Sequence, residues 1–158
     1  MLKLRKNKKG FTLVELIVVI AIMAVLAGTV AGVTVSQLNK SKNDTAASEI
    51  KNLLNDFETF LANYDVSKIT SAETAGTAVG DFNTEKKAAK GITTDILTSK
   101  ATTTPIPKAG TGKYVYTVTY TPAVTTGTLA PAKLTLKIEC AKVGSTGVTP
   151  EAERIYEI

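Results

Sequence analysis

No histidine occurs anywhere in the 158 residues, which removes the commonest general base and the commonest metal ligand together. Cys140 is the one cysteine, so no intrachain disulfide can form and a zinc site is all but excluded. There is no phosphate-binding glycine loop and no nucleophile motif. The chain therefore reads as a non-enzyme with neither cofactor nor metal. Proline is missing before Pro105, so nothing in the first two thirds of the chain has to interrupt a helix. Charge is missing from residues 16–38, and a stretch of that length, at about 1.5 Å per helical residue, exceeds the roughly 30 Å hydrocarbon core of a bilayer.

Ahead of the apolar run stands a basic end. Lys3, Arg5, Lys6, Lys8 and Lys9 precede Gly10, and such a run holds its side of a span in the cytoplasm by the positive-inside rule. The formal net charge of +5 comes from these residues; without them 14 basic side chains face 14 acidic ones. A nucleic-acid patch is therefore the weaker reading of the basic run. In an ordinary secretory signal the cleavage site follows the apolar region, whereas here the one candidate, Gly10, precedes it, so the apolar part is retained.

Glu15 breaks the apolar pattern. An ionisable group inside a spanning segment is costly and marks a functional site whose partner has to be named. Thr12-Leu13-Val14-Glu15 also fits the S/T-x-x-E capping box, in which the glutamate satisfies free backbone donors, and the two roles are compatible.

A basic leader ending in Gly10, then Phe11, Thr12, Leu13, Val14 and Glu15, then an aliphatic run, resembles the class III signal and N-terminal helix of the type IV pilin family. The resemblance covers about the first 30 residues. It implies cleavage by a prepilin peptidase between Gly10 and Phe11, N-methylation of Phe11, and an assembly role for Glu15, whose carboxylate pairs with the terminal amine of an adjacent subunit. The energetics agree, because a carboxylate in lipid is unsatisfied until a cation arrives, and docking beside a neighbour's amine relieves that penalty and sets axial register. Many Gram-negative pilins close a C-terminal loop with a disulfide; with Cys140 alone this chain departs from them.

Within the span, Ala24, Gly28, Gly32 and Ser36 recur every four residues, a small-residue stripe with a GxxxG element that allows close helix approach. Small residues are also simply frequent in membrane helices. Each glycine costs about 1 kcal/mol of helix propensity relative to alanine, and many pilins carry a helix-breaking proline where this chain has Gly32. A continuous helix is expected in the free subunit, with any melting in a filament centred on residues 29–32.

From residue 39 the helix continues with a changed face. Ala46, Ile50, Leu53, Leu54, Phe57, Phe60, Leu61 and Tyr64 fall at helical spacing, opposite Lys42, Asp44, Glu49, Lys51, Asp56 and Glu58. KYVYTVTYT at 113–121 and KLTLKIEC at 133–140 alternate as strands, and residues 154–158 form a short third strand. Cys140 follows Leu134, Leu136 and Ile138 at period two, as a buried strand thiol does. Residues 122–131 and 143–150, with Gly and Pro, read as loops between antiparallel strands. Short helices are expected near 84–90 and 93–100. The sequons at Asn39 and Asn43 read as accidental.

The organisation expected is a leader (1–10), a membrane-spanning or filament-core half-helix (11–38), an amphipathic half-helix (39–64), a variable region (65–112) and a C-terminal antiparallel sheet (113–158). The fold is α+β and pilin-like: a long helix whose apolar half protrudes and whose amphipathic half packs on the sheet. By the resemblance this is the structural subunit of a type IV pilus. Its partners are further copies of itself in a homopolymer or mixed pilus, the prepilin peptidase, the assembly platform in the membrane, and lipid before assembly. It is a single-pass membrane protein first and part of an extracellular filament afterwards. The alternatives are a pseudopilin of a type II secretion system or a competence pilus subunit, DNA being a partner only in the latter, and a membrane-anchored binding module that never polymerises. Major pseudopilins often bind calcium in an acidic loop, and the scattered Glu151, Glu153 and Glu157 disfavour that.

Overall fold

The computed structural model describes residues 10–100, 105–144 and 146–158; most of the basic leader, residues 1–9, lies outside them. Helix α1 spans Leu13–Asn63 and is unbroken through Thr29 and Gly32, as expected of a chain with no proline there. A single 3-10 turn, Val66–Lys68, leads to α2, Ala72–Lys90. The strands are β1 (Leu97–Ser99), β2 (Tyr114–Thr121), β3 (Lys133–Ala141) and β4 (Val148–Glu157), in sheet order β1-β2-β3-β4. The chain divides into two compact units, Met1–Leu38 and Asn39–Ile158.

The second unit is α+β. Strands β2, β3 and β4 are antiparallel, with Tyr116 opposite Ile138 and Leu134 opposite Tyr156. Because side chains alternate along a strand, Tyr114, Leu134, Leu136, Ile138, Cys140 and Tyr156 share one face, and all are buried. That face covers the stripe of α1, where Ala46, Ile50, Leu53, Leu54, Phe57 and Leu61 are buried and Phe60 and Tyr64 pack partly buried beside them. Phe57 is the centre: its ring meets Phe82 of α2 edge-on at 5.2 Å and Tyr156 of β4 at 5.4 Å, with Phe60 stacked at 5.9 Å. Tyr156 donates its hydroxyl to the Leu54 carbonyl at 2.9 Å, so a buried phenol costs no unpaired polar group.

Four expectations need correction. The sheet is mixed, because β1 adds to β2 in parallel, Thr98 opposite Val115, and β1 lies ahead of the 113–158 segment. The stretch 93–100 is no helix: α2 stops at Gly91, which takes the left-handed conformation (φ 64°) favoured by glycine as a C-cap, and the chain then extends into β1. Helix α2 begins at Ala72, well before residue 84, behind a capping box in which Thr74 N–H donates to Ser71 Oγ and Ser71 N–H to Thr74 Oγ1. Strand β4 starts at Val148 and so takes in Pro150. That proline is tolerated because β4 is an edge strand and the β3–β4 register shifts between Glu139 and Ala141.

Two amides, one buried and one half-buried, hold the connections. Asn83 of α2 donates to the Leu97 carbonyl at 2.9 Å and accepts from the Ile96 and Leu97 N–H groups at 3.1 and 3.2 Å, which is what fastens β1 in place. Asn43 of α1 donates to the Val143 carbonyl at 3.2 Å and accepts its N–H at 3.0 Å.

Candidate functional site: the N-terminal helix

Residues 10–12 are not helical, and α1 begins at Leu13. The boundary is set chemically. Thr12 N–H and Thr12 Oγ1–H both donate to Glu15 Oε2 at 2.8 Å, and Glu15 N–H donates to Thr12 Oγ1 at 3.2 Å, a complete capping box. The Gly10–Phe11 bond thus lies in open chain directly ahead of a capped helix. A side chain at Gly10 would meet nothing within 4 Å, so the described chain itself does not demand glycine there.

From Leu16 to Leu38 the helix carries no charged side chain and is exposed on every side. Phe11, Leu13, Val14, Leu16, Ile17, Ile20, Met23, Leu26, Val30, Val33 and Leu38 are all exposed, and among the described residues this is the one helix long and apolar enough to cross a membrane. An apolar surface of this extent marks a membrane or protein contact. Glu15 is the only ionisable side chain in residues 11–38. Its Oε2 is taken by Thr12, while Oε1 has no hydrogen-bond partner among the described residues.

The small-residue positions are open. A side-chain carbon added at Gly28 or Gly32 would have nothing within 4 Å, so no contact in this unit accounts for the glycines, and Ala24 shares their face. The structure adds a detail that the spacing did not reveal: Thr29 Oγ1 donates to the Leu26 carbonyl at 2.9 Å and Thr34 Oγ1 to the Val30 carbonyl at 2.8 Å. Such back-bonding competes with the helix ladder and softens it, on either side of Gly32.

Residues 5–31 match the family model described as the prokaryotic N-terminal methylation motif. The match covers the segment whose residues resemble the class III signal of type IV pilins. No curated protein and no solved structure matches the chain. The similarity found is confined to this N-terminal segment, and no match extends into the head, residues 39–158.

In the head, Cys140 is buried; burial, with the Glu49 carboxylate nearby, pushes its thiol up to about 11, so the thiolate that would react is scarce. Tyr114 donates to Glu49, and burial together with that carboxylate raises its phenol far above the usual range. No group of three or more metal-ligating side chains exists among the described residues. Sequence reasoning missed Glu139: it sits on the far face of β3, opposite Val115, yet only 2% exposed. The Lys100 ammonium forms an ion pair with Oε1 without hydrogen-bond geometry, and Lys137 lies 3.6 Å from Oε2 and 2.9 Å from Glu151. Period-two alternation put Glu139 on the outer face but carried no sign that it is covered.

Proposed function

We propose that this chain is a structural subunit of a type IV pilus, inserted as a prepilin, cleaved after Gly10, N-methylated at Phe11 and polymerised through the apolar part of α1. The observation that carries the reading is a Gly10–Phe11 junction in open chain, with Glu15, four residues beyond Phe11, as the lone carboxylate of the apolar, exposed stretch 11–38. Cleavage creates an α-amine at Phe11. In a filament the amine of one copy neutralises Glu15 of the next, and one heterologous contact repeated without closure gives a helical polymer. Gly28 and Gly32 let neighbouring backbones approach closely.

The capping box supports a second reading, in which Glu15 only caps α1 and the protein is an anchored module. Charge separates the two. Glutamine completes a capping box as glutamate does but carries no charge to meet an amine. Under the pilus reading, Glu15→Gln assembles as poorly as Glu15→Ala when surface filaments are sheared and weighed against the membrane pool. Wild-type filament yield from Glu15→Gln would reduce Glu15 to a cap. A pseudopilus or competence role shares the helix and its chemistry, and is distinguished by whether filaments are displayed on cells or serve secretion or DNA uptake.

A further inference from the structure

The head is nearly balanced in charge, but its cations are not evenly used. Lys86, Lys87, Lys100, Lys133, Lys137 and Arg154 are tied to carboxylates. Seven exposed lysines make no ion pair among the described residues: Lys51, Lys90, Lys113 and the four Lys40, Lys42, Lys108 and Lys142.

These four are brought to one level of the head. Lys40 and Lys42 lie on α1 within about one turn of Leu38, the last residue of the apolar run. Two connections seat on that same turn. The loop after β3 is fastened by Asn43, whose amide holds both backbone groups of Val143, and a side chain at Gly144 would come within 2.8 Å of Asn39. The segment ahead of β2 lies beside it: Ala109 N–H donates to the Ala141 carbonyl at 2.8 Å, Ala141 N–H to the Pro107 carbonyl at 2.7 Å, and Gly110 abuts Lys42. Lys142 and Lys108 ride on these two connections. Both glycines have positive φ, 81° and 83°, and a side chain at Gly144 would in addition have to displace the Asn39 amide. Asp44 is the carboxylate nearest in sequence, and it pairs with none of the four.

We propose that Lys40, Lys42, Lys108 and Lys142 form a basic collar that binds the anionic phospholipid headgroups of the leaflet from which the apolar helix emerges. This rests on the reading that residues 16–38 span the membrane before assembly. A headgroup phosphate is an anion at the depth where the apolar run gives way to lysine, and polybasic segments beside a span gain attraction from each cation near an anionic surface. Nucleic acid would meet the same charges, but has no reason to meet them at the end of a membrane span. The leader's five basic residues still outnumber Lys40 and Lys42, so the collar does not oppose the expected orientation.

The test uses the full chain reconstituted in vesicles of phosphatidylcholine alone or with phosphatidylglycerol as about a third of the lipid. Flotation after alkaline wash scores insertion, and a membrane-impermeant amine reagent read lysine by lysine in peptide mass spectra scores protection. Exposed, unpaired Lys51 and Lys90 serve as internal references and cancel any difference in orientation. With phosphatidylglycerol, labelling of the four collar lysines is expected to fall at least about threefold relative to the references, and to recover in about 0.5 M salt, where screening is short-ranged. The double variant Lys108→Glu, Lys142→Glu, changed only at exposed positions, is expected to lose the protection of Lys40 and Lys42. Insertion in both vesicle types with equal labelling would overturn the collar, and so would protection by added duplex DNA on neutral vesicles with none from phosphatidylglycerol. Failure to float in either vesicle would overturn the membrane reading beneath it.

Discussion

Replacing Asn83 by Ala asks how β1 is held. The side chain is 7% exposed and makes three hydrogen bonds, one to the Leu97 carbonyl and two from the N–H groups of Ile96 and Leu97. At about 1 kcal/mol net for each bond, and more where a buried group is left unpaired, the loss comes to about 3 kcal/mol. With a urea slope of about 2 kcal/mol per molar, the midpoint drops by about 1.5 M. The assay is urea unfolding of the full chain in mild detergent followed by near-ultraviolet circular dichroism, with Asn55→Ala, an exposed helical asparagine, held within about 0.5 kcal/mol of wild type. Hydrogen exchange locates the effect: the Ile96 and Leu97 amides lose protection while Leu136 and Ile138, in the middle of β3, keep theirs. A midpoint within about 0.3 M of wild type, or unchanged protection at Ile96 and Leu97, would refute the claim that this amide fastens the strand.

Other outcomes follow from the same structure. Phe57→Ala empties the place where α1, α2 and β4 meet and should cost about 3–5 kcal/mol, read by the same unfolding curve. Cys140 should resist iodoacetamide at about pH 8 in the folded chain and react once urea is added; because its folded value of about 11 lies above the ordinary 9.0, the stability it lends is complete below about pH 9 and is lost as pH rises through about 11, which a series of urea midpoints would display. Gly28→Ala with Gly32→Ala meets no clash in the subunit and adds about 1 kcal/mol of helix propensity per site. The doubly substituted chain should insert normally in membranes yet yield fewer filaments, and an unchanged filament yield would show that neither close approach nor helix softening is needed there.

The long helix was legible because its signals are local: residues 16–38 are apolar without interruption, and Ile50, Leu53, Leu54, Phe57 and Leu61 repeat at helical spacing. Strands β2 and β3 were legible for the same reason, through the alternation of Tyr114 to Tyr120 and of Leu134 to Cys140. What escaped depends on partners distant in the chain. Leu97–Ser99 has too few residues to show a period, and it is a strand because Asn83, on a helix, satisfies its free side. Glu139 looks like any solvated strand residue until Lys100 and Lys137 close on it. At the N-terminal site, Gly10, Phe11 and Glu15 were readable as a motif and Thr12 to Glu15 as a capping box, whereas the hydroxyls of Thr29 and Thr34 turned back onto the helix ladder needed coordinates.

Intact-mass and N-terminal peptide mass spectrometry of the protein sheared from cell surfaces tests the filament account most directly. The account predicts a chain beginning at N-methylated Phe11, with the ten leader residues gone and residues 11–38 retained. A surface product that still begins at Met1, or one cut beyond the apolar run, would leave no amine opposite Glu15 and would contradict it.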